Sequence, residues 1–378
     1  MQTHQWIWQH RNWPHFSFQA DHLLTDLVEA SKMIGALETI SRSISDQENT
    51  AALERVLSDD AMETSAIEGE TLRRSSVRCS IRKKLGLPID QDDQDVRTDG
   101  LVAMLFDARI QIQEPLTPAR ILGWHAALFP TGYSGLKKIR VGEYRGPEEM
   151  QIVSGPLGKE TIHYIALPHS RLEVEMEQFL GWLNTNREHP PLLKAGIAHL
   201  WFIMIHPFDD GNGRVGRAII DHLMAVHYPR LMRLISFSKQ FSHDRKGYYA
   251  ALELAGKGGM DITVWLNWFL QAAITAMQEA QWVVDTVLRK TSFWQMHRDT
   301  SFNERQQKVI NRLLDAGGQF IGNMTTRKYV GMTQCSKVTA SRDLADLVKK
   351  GVMQKTPDGG RSTSYTLCTA VSPAPATE

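Results

Sequence analysis

The chain has few cysteines, no long apolar run and almost no excess of either charge. Its 378 residues contain three cysteines, Cys79, Cys335 and Cys368, with no two close together. An odd, scattered set excludes a disulfide framework and points to reduced thiols in a cytosol-like compartment. The most apolar stretch, Leu192–Ile205, is 14 residues long and holds Lys194 and His199, too short and too polar to span a bilayer. Met1–Trp13 alternates polar residues with Trp6, Trp8 and Trp13 and lacks the apolar centre of a signal peptide. The expectation is a soluble, cytoplasmic protein with no membrane partner. Lys and Arg number 43 against 42 Asp and Glu, so a net charge of +1 implies no general affinity for polyanions. There are fourteen histidines but no His-x-x-Glu-His and no paired Cys-x-x-Cys spacing, which excludes a zinc enzyme of the usual patterns. What is present, 42% hydrophobic and 22% charged residues, is enough to bury sizeable cores in two or three domains.

Charge is unevenly spread. Asn303–Cys368 carries 11 basic and 5 acidic residues, leaving 32 and 37 for the remainder, so the C-terminal piece is a distinct module. Apolar periodicity predicts helices over Asp21–Ser45, Thr50–Met62, Arg78–Leu85 and Asp99–Gln113, again after Pro118, and from Arg171 to about Lys290. Asp90–Asp95 reads as an acidic linker. Two short runs, Gln151–Val153 and Ile162–Ile165, flank Ser154-Gly155-Pro156-Leu157-Gly158 and predict a β-hairpin with a loose tip. After Val371 the chain is a Pro/Ala/Thr tail, expected to fray.

The strongest chemical signal is His206-Pro207-Phe208-Asp209-Asp210-Gly211-Asn212-Gly213-Arg214-Val215-Gly216-Arg217. It joins an apolar helix to an amphipathic one. Gly211-Asn212-Gly213 permits the backbone bends that turn successive N–H groups inward, and such a turn at a helix N-terminus binds anions. Arg214 and Arg217 share one helix face. Asp210 is placed to hold Mg²⁺ against a polyphosphate. Singly, these are a helix-ending histidine, a turn aspartate and two solvated arginines. Together in twelve residues they are the parts for nucleotidyl transfer.

At every fixed position this stretch resembles the signature of the Fic family, His-Pro-Phe-x-Asp/Glu-Gly-Asn-Gly-Arg-x-x-Arg, and the similarity spans Asp99 to about Ala280. The resemblance implies a mainly α fold with a β-hairpin flap, and transfer of AMP from the co-substrate ATP to a Ser, Thr or Tyr hydroxyl of a target protein. Gly213 stands where the related Doc-type kinases carry a Lys, which favours chemistry at the α-phosphate. By the same resemblance His206 is the general base, Asp210 the Mg²⁺ ligand, and Gly211, Asn212 and Gly213 a phosphate cradle. Arg214 and Arg217 hold the outer phosphates. Phe208 is expected to pack and fix the loop. Ile162, His163 and Tyr164 lie on the flap, which binds a target segment as an added strand. Tyr249 is the candidate on the nucleoside side.

Upstream, Thr64-Ser65-Ala66-Ile67-Glu68-Gly69 matches the family's inhibitory motif, Ser/Thr-x-x-x-Glu-Gly. The resemblance implies that Glu68 pairs with Arg217 and blocks placement of the γ-phosphate. In some relatives this glutamate instead positions a water that removes AMP, so de-AMPylation stands as an alternative direction. The region Met1–Asp60 resembles a segment preceding this motif in some bacterial Fic proteins, and its tryptophans read as packing anchors.

Helices over Glu304–Asp315, Thr325–Val330 and Gln334–Lys350, then two strand-like runs around Thr356–Gly360, resemble a winged helix-turn-helix. Ser336, Lys337, Thr339 and Arg342 would face outward and Arg361 would lie in the wing. DNA contact by Lys337, Arg342 and Arg361 is one reading; protein docking or dimerisation is the other. The expected division is residues 1–95 with the inhibitory motif, 96–290 catalytic, 300–370 winged helix and 371–378 tail. Expected partners are a target protein, the chain itself through auto-modification, DNA and a second copy in a homodimer. A rival of another class is a DNA-binding regulator whose Fic core only senses nucleotide.

Overall fold

The computed structural model describes residues 6–42, 44–89, 92–155, 159–316, 320, 322–356 and 363–368. The hairpin tip 156–158, Arg361 and the tail 371–378 lie outside the described residues. The chain forms two compact units, residues 1–280 and 281–378. Residues 1–95 therefore pack with the following 185 residues in one unit.

That unit is almost entirely helical. After a 3-10 turn, Ile7–Gln9, come α1 (Ala20–Ser41), α2 (Asp46–Ile67), α3 (Arg74–Lys84), α4 (Val96–Ile110) and α5 (Pro118–Leu128). Two small antiparallel hairpins follow, β1 (Tyr133–Ser134) with β2 (Lys137–Lys138) and β3 (Gln151–Ser154) with β4 (Thr161–Ile165). The first was not anticipated; two-residue strands leave no alternation to read. Then come α6 (His169–Thr185), α7 (Pro191–Ile205), α8 (Asn212–His227), α9 (Phe237–His243), α10 (Arg245–Lys257) and α11 (Thr263–Met296), whose residues from Gln281 on belong to the second unit. No helix among the described residues is long and apolar enough to cross a membrane.

Helix α7 is apolar on nearly all sides, which marks a central buried helix, and it packs against α6 and α8. Helix α8 is also buried along most of its length, Arg214, Arg217 and Asp221 included. Buried charges need partners, and these partners lock α2 onto α8. The Arg109 guanidinium of α4 bonds Asp60 of α2 and Asp221 of α8, and also donates to the Met232 and Ile235 carbonyls. Ser236 Oγ donates to the other oxygen of Asp60.

Helix α2 begins with a reciprocal capping box between Ser45 and Glu48. The helix expected over Thr50–Met62 continues to Ile67, because Thr64, Ser65 and Ile67 are buried and tertiary packing overrides their modest propensity. Thus Glu68 is the residue that closes α2, and Gly69 follows with φ +80°. Glycine meets that requirement without steric cost.

The second unit contains α12 (Glu304–Ala316), β5 (Met324–Thr325), α13 (Thr326–Thr333), α14 (Lys337–Lys349), β6 (Met353–Lys355) and β7 (Ser364–Leu367). Its antiparallel sheet has the order β5-β7-β6, and its core includes Val309, Ile310, Tyr329, Leu344, Leu347 and Tyr365. One boundary needs correction. The last helix starts at Lys337, not Gln334, because Gln334 has φ +53° and Ser336 is the N-cap, accepting from the Thr339 N–H at 3.1 Å. Lys337 and Arg342 are exposed, whereas Ser336 and Thr339 are also bonded through their hydroxyls.

Candidate active site

The site forms where α7 ends and α8 begins. His206 closes α7 in the left-handed region, φ 52° and ψ 62°, a conformation costly for a side chain with a Cβ and characteristic of functional sites. Arg145 and the Ile203 carbonyl hold it there. Arg145 donates from Nε to the His206 carbonyl at 2.9 Å, from Nη2 to the Leu167 carbonyl at 2.5 Å, and from its backbone to Pro207 at 2.9 Å. The imidazole Nδ1 lies 3.2 Å from the Ile203 carbonyl. With Nδ1 donating there, Nε2 carries the free lone pair. Burial pushes this histidine down to about 4, against the pull of the Ile203 carbonyl, so it is neutral at pH 7 and able to accept a proton. The residue nevertheless keeps a partly accessible edge.

The following loop is braced from within. Phe208 is fully buried and stacks on His125 at 4.0 Å. Asn212 turns inward: Oδ1 accepts from the Phe208 N–H at 3.0 Å and Nδ2 donates to the Phe208 carbonyl at 2.9 Å. The side chain expected to touch phosphate is therefore committed to closing the loop. What Asn212 offers an anion is its backbone N–H. Gly211, φ +83°, is the N-cap of α8 and supplies no capping side chain, so the first-turn N–H groups of Asn212, Gly213 and Arg214 lack helical acceptors. The Gly211 N–H is already bonded to Asp210 Oδ1 at 2.5 Å.

Two carboxylates lie against the two arginines. Arg217 Nη2 is 2.7 Å from Glu68 Oε1, its Nε donates to Thr64 Oγ1 at 2.7 Å, and Nη2 reaches the Thr64 carbonyl at 3.1 Å. Arg214 Nη1 is 2.8 Å from Glu70 Oε2, and its guanidinium lies over Phe129 at 5.0 Å. Glu68 also fills the space above the loop: a Cβ on Gly213 would collide with Glu68 Oε1. Among the described residues, buried Arg217 Nη1 and Arg214 Nε have no hydrogen-bond partner. Orphaned guanidinium donors beside unsatisfied helix-start N–H groups are the chemistry of an anion site.

Asp210 is half exposed, accepts from Ser134 Oγ through Oδ2, and lies 3.8 Å from Arg214. Among the described residues no three His, Cys, Asp or Glu side chains gather around a point. One carboxylate suits a Mg²⁺ whose other ligands are phosphate oxygens and water, and does not suit a protein cage. Of the two neighbouring tyrosines, Tyr248 is buried against His199, its hydroxyl 2.8 Å from Nε2. Tyr249 stays half exposed, under the Arg245 guanidinium, and its hydroxyl donates to the Ile67 carbonyl at 3.3 Å.

On the flap, Ile162 pairs with Val153 and both are exposed. His163 bonds Ser154 across the hairpin and Glu253 of α10. Tyr164 points inward, its hydroxyl donating to the Met204 carbonyl at 3.0 Å, so it anchors the flap and is not a surface contact. A cleft of about 690 Å³ lies between the flap, residues 137–150 and Asp209.

Residues 115–224 match the Fic/DOC family. Residues 6–87 match a further family, Domain of unknown function (DUF4172). Curated relatives include proteins named Protein adenylyltransferase Fic. That of Culex quinquefasciatus is 26% identical over 198 residues, 51% of this chain and 35% of the relative. That of Nematostella vectensis is 26% identical over 201 residues, 52% of this chain and 42% of the relative. The chain thus spans about two fifths or less of these relatives' length. The crystal structure of a Fic family protein from Desulfovibrio desulfuricans G20 superposes with a TM-score of 0.55 at 21% identity, covering 95% of this chain and 99% of that one. The fold is of the Fic type.

Several residues that shape this site escaped sequence reasoning. Glu70 lies two positions past Glu68 and carries no signal of its own. Arg145 and Ser134 reach the loop from 61 and 76 residues away. His125 accepts the Gly142 N–H at Nδ1 and so donates from Nε2 to the Asp210 carbonyl at 3.1 Å; burial pushes it down to about 4. The only sequence hint was the density of Gly and charge between Gly132 and Gly146.

Proposed function

We propose that the protein is a protein adenylyltransferase that moves AMP from ATP to a hydroxyl of a target protein, and that Glu68 holds it back. The observation that carries this is the Glu68 carboxylate on buried Arg217, above Gly213, in the space an anionic group would take. The curated relatives' name supports the reaction class.

In this mechanism His206 Nε2 takes the proton of the attacking hydroxyl. The hydroxyl oxygen bonds to the α-phosphorus as the bond to the α,β-bridging oxygen breaks, and pyrophosphate leaves. The α8 N–H groups and the two guanidinium groups stabilise charge that develops on the phosphates. Asp210 would hold Mg²⁺, which supplies positive charge against the phosphates when bound. The Tyr249 hydroxyl, now on the Ile67 carbonyl, would turn to the nucleoside.

A charge-assisted bond contributes about 1.5–3 kcal/mol, so the Glu68–Arg217 pair would lower the competent population roughly 10- to 100-fold. Glu70 on Arg214 is a second, more exposed restraint. The test is auto-modification with ATP labelled at the α- or γ-phosphate. Glu68→Gly should gain α-label and no γ-label, and Glu68→Gly with His206→Ala should bind ATP but lose the transfer. An unlabelled Glu68→Gly protein would sink the reading.

For the second unit, the exposed Lys337 and Arg342 on α14 support a winged helix that contacts DNA. Salt-dependent retardation of duplex DNA by the full chain, lost in Lys337→Ala/Arg342→Ala, is the check.

A further inference from the structure

The N-terminal tryptophans are the sequence feature that the proposed chemistry leaves unused. They arrive at the flap from about 157 residues away. Trp8 Nε1 donates to the carbonyl of Ile165, the last residue of β4, at 2.7 Å. Trp6 is buried and meets the Tyr164 ring edge-on at 5.5 Å. The turn Ile7–Gln9 packs on α10, the helix that also receives β4 and the His163–Glu253 contact. Further along, Trp13 Nε1 donates to Glu175 Oε2 at 2.8 Å, and Glu175 also bonds Arg171, whose guanidinium lies over the Trp8 ring.

A two-stranded hairpin is marginal by itself, and the carbonyl at the end of an edge strand needs a partner. Here the base of β4 has three. Tyr164 reaches the Met204 carbonyl in α7, Trp8 takes Ile165, and Arg145 takes Leu167 while also holding the His206 carbonyl. Leu167, two residues past β4, is thereby tied to the histidine through Arg145, and the last strand residue is tied to the N-terminal segment through Trp8.

We propose that Trp6 and Trp8 are positioning residues of the flap, setting where a target strand added to the hairpin presents its hydroxyl to His206. This rests on the transfer reading above. It assigns the region matching DUF4172 two tasks, the support of the flap at its start and the restraint of Arg217 by Glu68 further along. Neither tryptophan touches the anion site, so their loss should act on the protein acceptor and leave the nucleotide alone.

The test uses the full chain carrying Glu68→Gly, with Trp8→Phe added to remove the indole N–H and keep a ring. Two products are followed from α-labelled ATP: AMP on protein, and free AMP formed with water, which needs no strand on the flap. Protein-bound AMP should fall roughly 2- to 10-fold, the range for one neutral hydrogen bond, with free AMP and the KM for ATP unchanged. Amide hydrogen exchange should quicken in residues 151–165 and stay constant in 212–227. Unchanged flap exchange overturns the proposal, and so does faster exchange with an unchanged ratio of the two products. Equal loss of both products also overturns it, as general damage. A Glu68→Gly parent that forms neither product ends the transfer reading and this inference with it. Trp6→Phe, which keeps an edge-on ring, should give a smaller change of the same pattern.

Discussion

Two arginines three residues apart on α8 each face a glutamate, yet the two pairs differ in depth. Arg217 and Glu68 have side-chain exposures of 1% and 25%, with Thr64 adding two further bonds to the same guanidinium. Arg214 and Glu70 have 5% and 44%, with the Phe129 ring beneath. Residue types and distances nearly coincide, so the separation comes from water. An exposed pair is screened to about 0–1 kcal/mol, whereas removing one partner of a buried pair is far more costly because a charge is left stranded. Restraint of this site should therefore reside mostly at Arg217.

The largest expected contrast is between Glu68→Gly and Glu70→Ala. Initial rates of α-label incorporation should rise roughly 10- to 100-fold for the first, following the value of a charge-assisted bond, and no more than about fivefold for the second. A larger gain from Glu70→Ala would invert the ranking. Thr64→Val comes next. It deletes one acceptor of Arg217 while leaving Glu68, and should raise the rate by roughly 2- to 10-fold, with a small loss in melting temperature. Salt then sharpens the contrast: near 1 M ionic strength the Debye length is about 3 Å, so the Glu70→Ala gain should vanish while the Glu68→Gly gain persists. Failure of the two to diverge would mean that both pairs are equally wet.

The smallest difference between the pairs should appear on acidification, which acts on the ground they share. Burial pushes His125, His206 and His222 down to about 4 and His199 to about 3. The unfolded chain, with ordinary histidines near 6.5, binds more protons than the folded one across that interval. Stability is therefore complete above about pH 6.5 and falls as pH drops towards 4, by about 1.4 kcal/mol per pH unit for each histidine concerned. Urea unfolding at pH 7, 6 and 5 reads this directly, and flat stability would show that these imidazoles are not desolvated.

How much of this was legible in the sequence depends on how locally each function is encoded. Residues 206–217 were readable because one loop and one helix turn hold His206, Asp210, the glycines and both guanidiniums. Glu68 was readable only through its resemblance to a motif, since nothing in the spacing from 68 to 217 brings the two together. Asn212 was misjudged in part: the residue belongs to the loop, but its amide serves Phe208. Glu70, Arg145 and His125 were invisible because each acts through tertiary contacts with no periodicity to betray them. Helices with clear apolar faces were found, with ends displaced where a cap decided the boundary, as at Ser336.

The buried cluster of Asp60, Arg109 and Asp221 fixes the midsection of α2 like a rivet. Seven residues separate Asp60 from Glu68, so the rivet sits two turns below the glutamate. Lifting the whole helix would strand three ions in hydrocarbon, whereas unwinding one terminal turn strands none of them. On the proposed reading the restraint is the tip of a fixed post: a ligand or partner that unwinds Ala66–Glu70 would free Arg217 while the rest of α2 stays in place.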